Sequence, residues 1–88
     1  MKHNLEIEQK YLVRILTGEK SFEIRKNDRD FQVGDEIEFL PLEDKNLDVY
    51  DLCNPIPTYR IMYIYYGMGM AADYVAMSII AIPRKQHL

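Results

Sequence analysis

The hydrophobic period of the chain changes at Gly18, and that change constrains the fold more than any other feature. Before it, the stretch EQKYLVRILTG places Tyr11, Leu12, Ile15 and Leu16 at helical spacing. Gly18 stands where a helix takes a left-handed residue after its last turn. After it, KSFEIRK alternates with period two, which predicts a strand with Phe22 and Ile24 on one face. Ser21, Glu23 and Arg25 are then expected together on the opposite face, with Glu23 and Arg25 close enough to pair. One short amphipathic helix within residues 8–18 therefore leads into a β-rich remainder.

The remaining segments repeat the strand pattern. Residues 3–8 alternate, with Leu5 and Ile7 on one side. Asn27-Asp28 and Val33-Gly34-Asp35 read as turns, with Phe31 and Val33 expected to plug the core between them. EIEFL predicts a strand with Ile37 and Phe39 inward. The segment 41–58 holds three of the four prolines and much of the acid, and reads as a loop with a small hairpin around Asp44-Lys45-Asn46. YRIMYIYY is apolar on both parities and strongly β-prone. The final strand YVAMSIIAI turns Val75, Met77, Ile79 and Ala81 one way and stops at Pro83, and the RKQHL tail is expected to fray. A single domain over residues 1–88 follows: α+β, mainly β, a small partly closed barrel of about five or six strands with one helix after the first strand.

Composition excludes several classes. The lone Cys53 cannot form an internal disulfide and lies in a proline-rich loop without a basic neighbour, so it is no candidate nucleophile. No His/Cys cluster offers metal-ligand spacing, and no cofactor is expected. The charged N-terminal stretch lacks the apolar core of a secretory signal, and no apolar run approaches the ~20 residues of a membrane helix. A soluble cytoplasmic protein is the expectation. The formal net charge is −3, yet Lys20, Arg25, Lys26 and Arg29, four of the eleven basic residues, gather within ten positions against only Glu23 and Asp28. Segment 35–51 is strongly acidic by contrast.

The run GEKSFEIRKNDRDFQVGD carries a family likeness. Gly18, Lys20, Glu23 and Arg25, then Arg29, Phe31, Val33, Gly34 and Asp35, resemble the ASCH domains of the PUA-like barrel superfamily. Within it the chain is most similar to a small bacterial and phage family known by a domain-of-unknown-function label. Gly67, Gly69, Asp73, Tyr74, Val75 and Ser78 extend the likeness through a glycine-rich loop and the last strand. The resemblance implies a cleft beside the G-x-K motif that binds single-stranded or structured RNA or a nucleotide-like ligand. Some ASCH proteins are amidohydrolases of acylated cytidine nucleosides, using the motif lysine, a threonine three residues later and a distant glutamate. Lys20 matches that lysine, but Glu23 stands in the threonine position. Binding is therefore expected over hydrolysis, with Lys20 and Glu23 the catalytic alternative.

Each candidate also has a plainer reading. Lys20 follows a helix end, where the dipole favours a cation. Glu23 and Arg25 could form an exposed ion pair worth roughly 0–1 kcal/mol. Convergence favours a site: Lys20, Ser21, Glu23 and Arg25 clustered, Lys26, Asn27 and Arg29 flanking within one turn, and arginines suited to phosphate. Of the seven tyrosines, Tyr59, Tyr63 and Tyr65 share a parity and suit packing, whereas Tyr66 beside the 67–69 loop is the candidate for stacking on an unpaired base. Met68 and Met70 are pliable apolar contacts, and His3 could line the cleft mouth. A protein-interaction module using the Lys/Arg strand against an acidic partner is the remaining alternative.

Overall fold

Residues 1–42 and 56–83 are described by a computed structural model. Their elements run β1 (Lys2–Glu8), α1 (Gln9–Leu16), β2 (Phe22–Lys26), β3 (Glu36–Leu42), β4 (Tyr59–Tyr65) and β5 (Tyr74–Ala81). The five strands form one curled, half-barrel sheet in the order β1-β3-β4-β5-β2, with β1 and β3 parallel and the other neighbours antiparallel. The expected hairpin around Asp44-Lys45-Asn46, Cys53 and the tail from residue 84 lie outside the described residues. Among the described residues no helix is long and apolar enough to cross a membrane.

The helix ends as its sequence requires. Thr17 donates its amide to Val13 O, and Gly18, at φ +84°, donates to Ile15 O. Lys20 N–H then reaches back to Arg14 O at 3.0 Å, which pins the start of the next segment against the last helical turn. Leu12 and Ile15 point into the sheet, where Leu5, Ile7, Ile37, Phe39, Ile61 and Met77 complete the centre of the core. Tyr11, assigned to the apolar face by spacing, is half-exposed instead.

Facing is decided by the tertiary structure in three places. In β2 the apolar face is the open one: Phe22 is 44% and Ile24 52% exposed, while Glu23 is only 4% exposed. Alternation assigns residues to two faces but does not say which face is inside. In the 27–35 turn Phe31 is buried as expected, but Val33 is 61% exposed, because it precedes Gly34 at φ +94° on the surface of the turn. In β4 a bulge between Ile61 and Tyr63 breaks the parity. Tyr59 and Ile61 are buried, yet Tyr63 and Tyr65 are carried to the outer face with Tyr74 of β5.

His3 is likewise no rim residue. It is buried, packs edge-on against Phe31 with ring centroids 4.7 Å apart, and hydrogen-bonds Asp35 through Nε2 at 2.8 Å. Asp35 also accepts the Gln32 amide at 3.0 Å and pairs with the Met1 amino group at 3.2 Å. Burial pushes its carboxyl up, but the hydrogen bonds from His3, Gln32 and the Met1 amino group outweigh that and hold it below the ordinary 3.8. The F-x-V-G-D stretch is thus a structural lock between the first strand and the third.

Candidate functional site

β1 and β2 are the two edges of the curled sheet, and no ladder joins them. Arginine side chains cross the gap instead. Arg25 Nη2 donates to Glu6 O at 2.7 Å, and Arg29 Nη1 donates to Asn4 O at 2.8 Å. These bonds satisfy outward-facing carbonyls of β1 that a closed barrel would satisfy with a neighbouring strand. The seam that they bridge opens into a cavity of about 580 Å³ between β1, the first turns of α1 and β2.

At its centre is a charged triad. Glu23 projects to the inner side of β2 and is almost fully enclosed. Its Oε2 accepts Arg25 Nε at 2.9 Å, and its Oε1 accepts a short hydrogen bond from Lys20 Nζ. Lys20 Nζ also donates to Phe22 O at 2.8 Å. A carboxylate buried this deeply is tolerable only when both oxygens are paired, and here a cation sits on each. The Glu23–Arg25 pairing expected from the strand is thus present, and it is buried rather than the exposed ion pair of the plainer reading. Lys20 is held by Glu23 rather than by the helix dipole, since it is its backbone amide that caps the helix.

Around the triad the walls are aromatic and aliphatic. The Lys20 ammonium lies 5.7 Å from the Tyr11 ring centroid and 5.0 Å from that of Phe22, so it sits between two half-exposed rings at the cavity mouth. Ile7, Ile24 and Leu42 supply further apolar wall, and Glu6 and Glu8 add carboxylates from β1. This lining accounts for the burial of Glu23 beside exposed apolar neighbours in β2. The inner side of the strand faces a cleft rather than packed core, so its charged residues can turn in while Phe22 and Ile24 form the lip.

The structure separates the other sequence candidates. Ser21 precedes β2 and lines a different cavity, beside the end of α1 and residues of β5. Asn27 Oδ1 accepts the Phe31 amide at 2.9 Å and so shapes the turn. Lys26 and Arg29 line a second, smaller cavity of about 310 Å³ further along the seam. Tyr66 is 74% exposed and lines none of these cavities; Tyr65, its neighbour, donates its hydroxyl to Met68 O at 2.8 Å. Tyr11 and Phe22 are the cleft residues that sequence reasoning missed, because helical spacing and strand alternation marked them only as apolar residues of their elements. The signal that could have found them is Lys20-x-x-Glu23-x-Arg25 itself, whose mutual pairing calls for a sheltered face.

A family described as a domain of unknown function, DUF3850, matches residues 2–79. The chain belongs to that family. The match takes in β1 to β4, the helix, β5 as far as Ile79 and every residue of the seam cleft. No curated protein matches the chain.

Proposed function

We propose that the chain is a binding module for an unpaired nucleotide, whether free or in single-stranded or looped RNA, and that the seam cleft holds it. The observation that carries this reading is the pairing of two half-exposed aromatic rings, Tyr11 and Phe22, with cationic donors, Lys20 and Arg25, held in place by one buried carboxylate. A ring face suits any base, and each stacked base contributes about 1–3 kcal/mol. Lys20 and Arg25 retain N–H groups beyond those spent on Glu23 and the backbone, so they can donate to base or sugar oxygens. The cavity volume suits a ligand of nucleotide size and is too narrow a platform for a duplex. Strand-helix-strand order and the seam position of Lys20 support kinship with ASCH and PUA-like barrels, and this kinship is part of the proposal.

The hydrolase alternative gains less support. Amide cleavage by a hydroxyl needs that hydroxyl beside an activating base. Ser21 lies in another cavity, and both Glu23 oxygens are engaged.

Amide-resolved titration of the full chain with single-stranded RNA, duplex RNA and the four ribonucleosides tests the reading. Shifts are expected at Tyr11, Lys20, Phe22 and Arg25, with single strands binding better than duplex. Tyr11→Ala and Phe22→Ala should each weaken binding by about tenfold, the effect of losing one stacking partner. No cleft shift with any of these ligands at millimolar concentration would overturn it.

A further inference from the structure

The seam holds two compartments of opposite character. The first, around the triad, sets Glu6, Glu8 and Glu23 against Lys20 and Arg25. The second, of about 310 Å³, sets Arg25, Lys26 and Arg29 against Asp28, with Leu5, Phe31 and Tyr74 completing its wall. Ile24 and Arg25 line both, so the two cavities meet along one side of β2.

We infer that the second cavity is a phosphate subsite, so that the seam takes a nucleotide lengthwise, base by Tyr11 and Phe22 and phosphate by Lys26 and Arg29. This rests on the reading of the first cavity as a base site. Three features of the second cavity carry the assignment. Its cations outnumber its acids, the reverse of the first compartment. Its arginines are held in place: Arg29 by Asn4 O, Arg25 by Glu23 and Glu6 O. Each of these bonds uses one of five N–H groups, and the remaining fork is the donor geometry that a phosphate oxygen pair accepts. Lys26 is the third feature. It is exposed, and among the described residues its side chain has no hydrogen bond or ion pair, so its ammonium is free to meet an anion.

The first compartment by itself favours a neutral group. Its cations are committed to Glu23, and the β1 carboxylates would repel phosphate. A nucleoside should therefore bind there alone, with phosphate adding affinity only through the second compartment. The same chemistry is offered by a free nucleotide and by a phosphodiester of single-stranded RNA.

The experiment compares uridine, uridine 5′-monophosphate, uridine 3′-monophosphate, hexauridylate and inorganic phosphate on the full chain, by amide shifts and affinity at low and physiological salt, with the other bases as parallel sets. At least one monophosphate is expected to bind about tenfold more tightly than its nucleoside at low salt, with shifts at residues 25–31 and a gap that narrows as salt rises. Lys26→Met, which removes an exposed ammonium, should narrow the gap about threefold. Lys26→Met with Arg29→Gln should abolish it while nucleoside affinity holds, thermal midpoints confirming that both variants are folded. Hexauridylate binding much more tightly than either monophosphate identifies an RNA phosphodiester as the source; equal or weaker binding identifies the free nucleotide. Equal affinity for nucleosides and monophosphates overturns the subsite and leaves the base site standing. Inorganic phosphate shifting residues 25–31 while no nucleoside binds supports the subsite and removes the base reading. No shift with phosphate or any nucleotide removes both.

Discussion

Asp35 gathers two donors from the start of the chain, the ring of His3, 32 residues away, and the Met1 amino group, and one from its own turn, the Gln32 amide. With its carboxyl ionised, the His3 Nε2 must carry the proton it donates. Because the folded carboxyl titrates below 3.8, its contribution to stability is present in full above that value and is lost as pH falls through the folded pKa. Asp35→Asn should therefore flatten the acid limb. Urea midpoints compared between pH 6 and pH 2.5 are expected to fall further in the parent than in the variant, and the variant should be the less stable of the two at pH 6. Equal loss in both would mean that Asp35 titrates alike in the folded and unfolded chain. At the same scale Glu23 shows the opposite arrangement, a carboxylate sheltered by two cations of its own neighbourhood rather than by distant groups.

The helix and β2 are joined by a three-step stop. Thr17 and Gly18 close the last turn, and Lys20 N–H takes the Arg14 carbonyl. Gly18 has open space where a Cβ would stand, so its cost of substitution comes from its backbone angle alone. Gly18→Ala should destabilise the chain by about 1 kcal/mol, the ordinary penalty for a left-handed non-glycine residue. Chemical denaturation measures this directly. Gly18→Asn, which tolerates that conformation better, should cost visibly less. Because the same turn delivers Lys20 to Glu23, the alanine variant should also shift the amides of residues 20–25. β4 changes its buried face along its length. Its bulge at Ile61/Tyr63 lets one strand bury Tyr59 and Ile61 at one end and present Tyr63 and Tyr65 outward at the other.

At the scale of the molecule, the sheet curls until its two edges lie within an arginine's reach, and the unclosed gap is the cleft. β1 is laddered to β3 on one side only, with Asn4 and Glu6 turning their carbonyls to the seam. Backbone groups of one residue point to the same side of a strand, so the Glu6 amide faces the seam and the Leu5 and Ile7 amides face β3. Hydrogen exchange should follow that alternation: Leu5 and Ile7 slow, Glu6 fast, and amides of the central pair β4–β5, such as Met77, slowest of all. A nucleotide that occupies the seam should slow Glu6 selectively. Uniform protection along β1 would instead indicate a barrel closed by strand pairing.

The order of elements, the helix between the first two strands, its end at Gly18, and the shared face of Val75, Met77 and Ile79 were legible in the sequence, while Ala81, read onto that face, is exposed at the end of β5. Each depends on local rules: residue periodicity, and a backbone angle that glycine adopts readily. The pairing of Glu23 with Arg25 was legible for the same reason, since residues two apart on a strand share a face. Which face is inside was a different matter. Period two assigns parity without direction, and the direction in β2 depends on what lies opposite, here an open seam beside β1 rather than a second apolar layer. The role of Tyr11 and Phe22 as rims of a cleft, the lock between His3 and Asp35, and the arginine bridges to β1 carbonyls all join residues far apart in the chain. Pairing of β1 with β3 brings His3 to Asp35, and the curl that sets the β1 edge beside β2 brings the others within bonding distance.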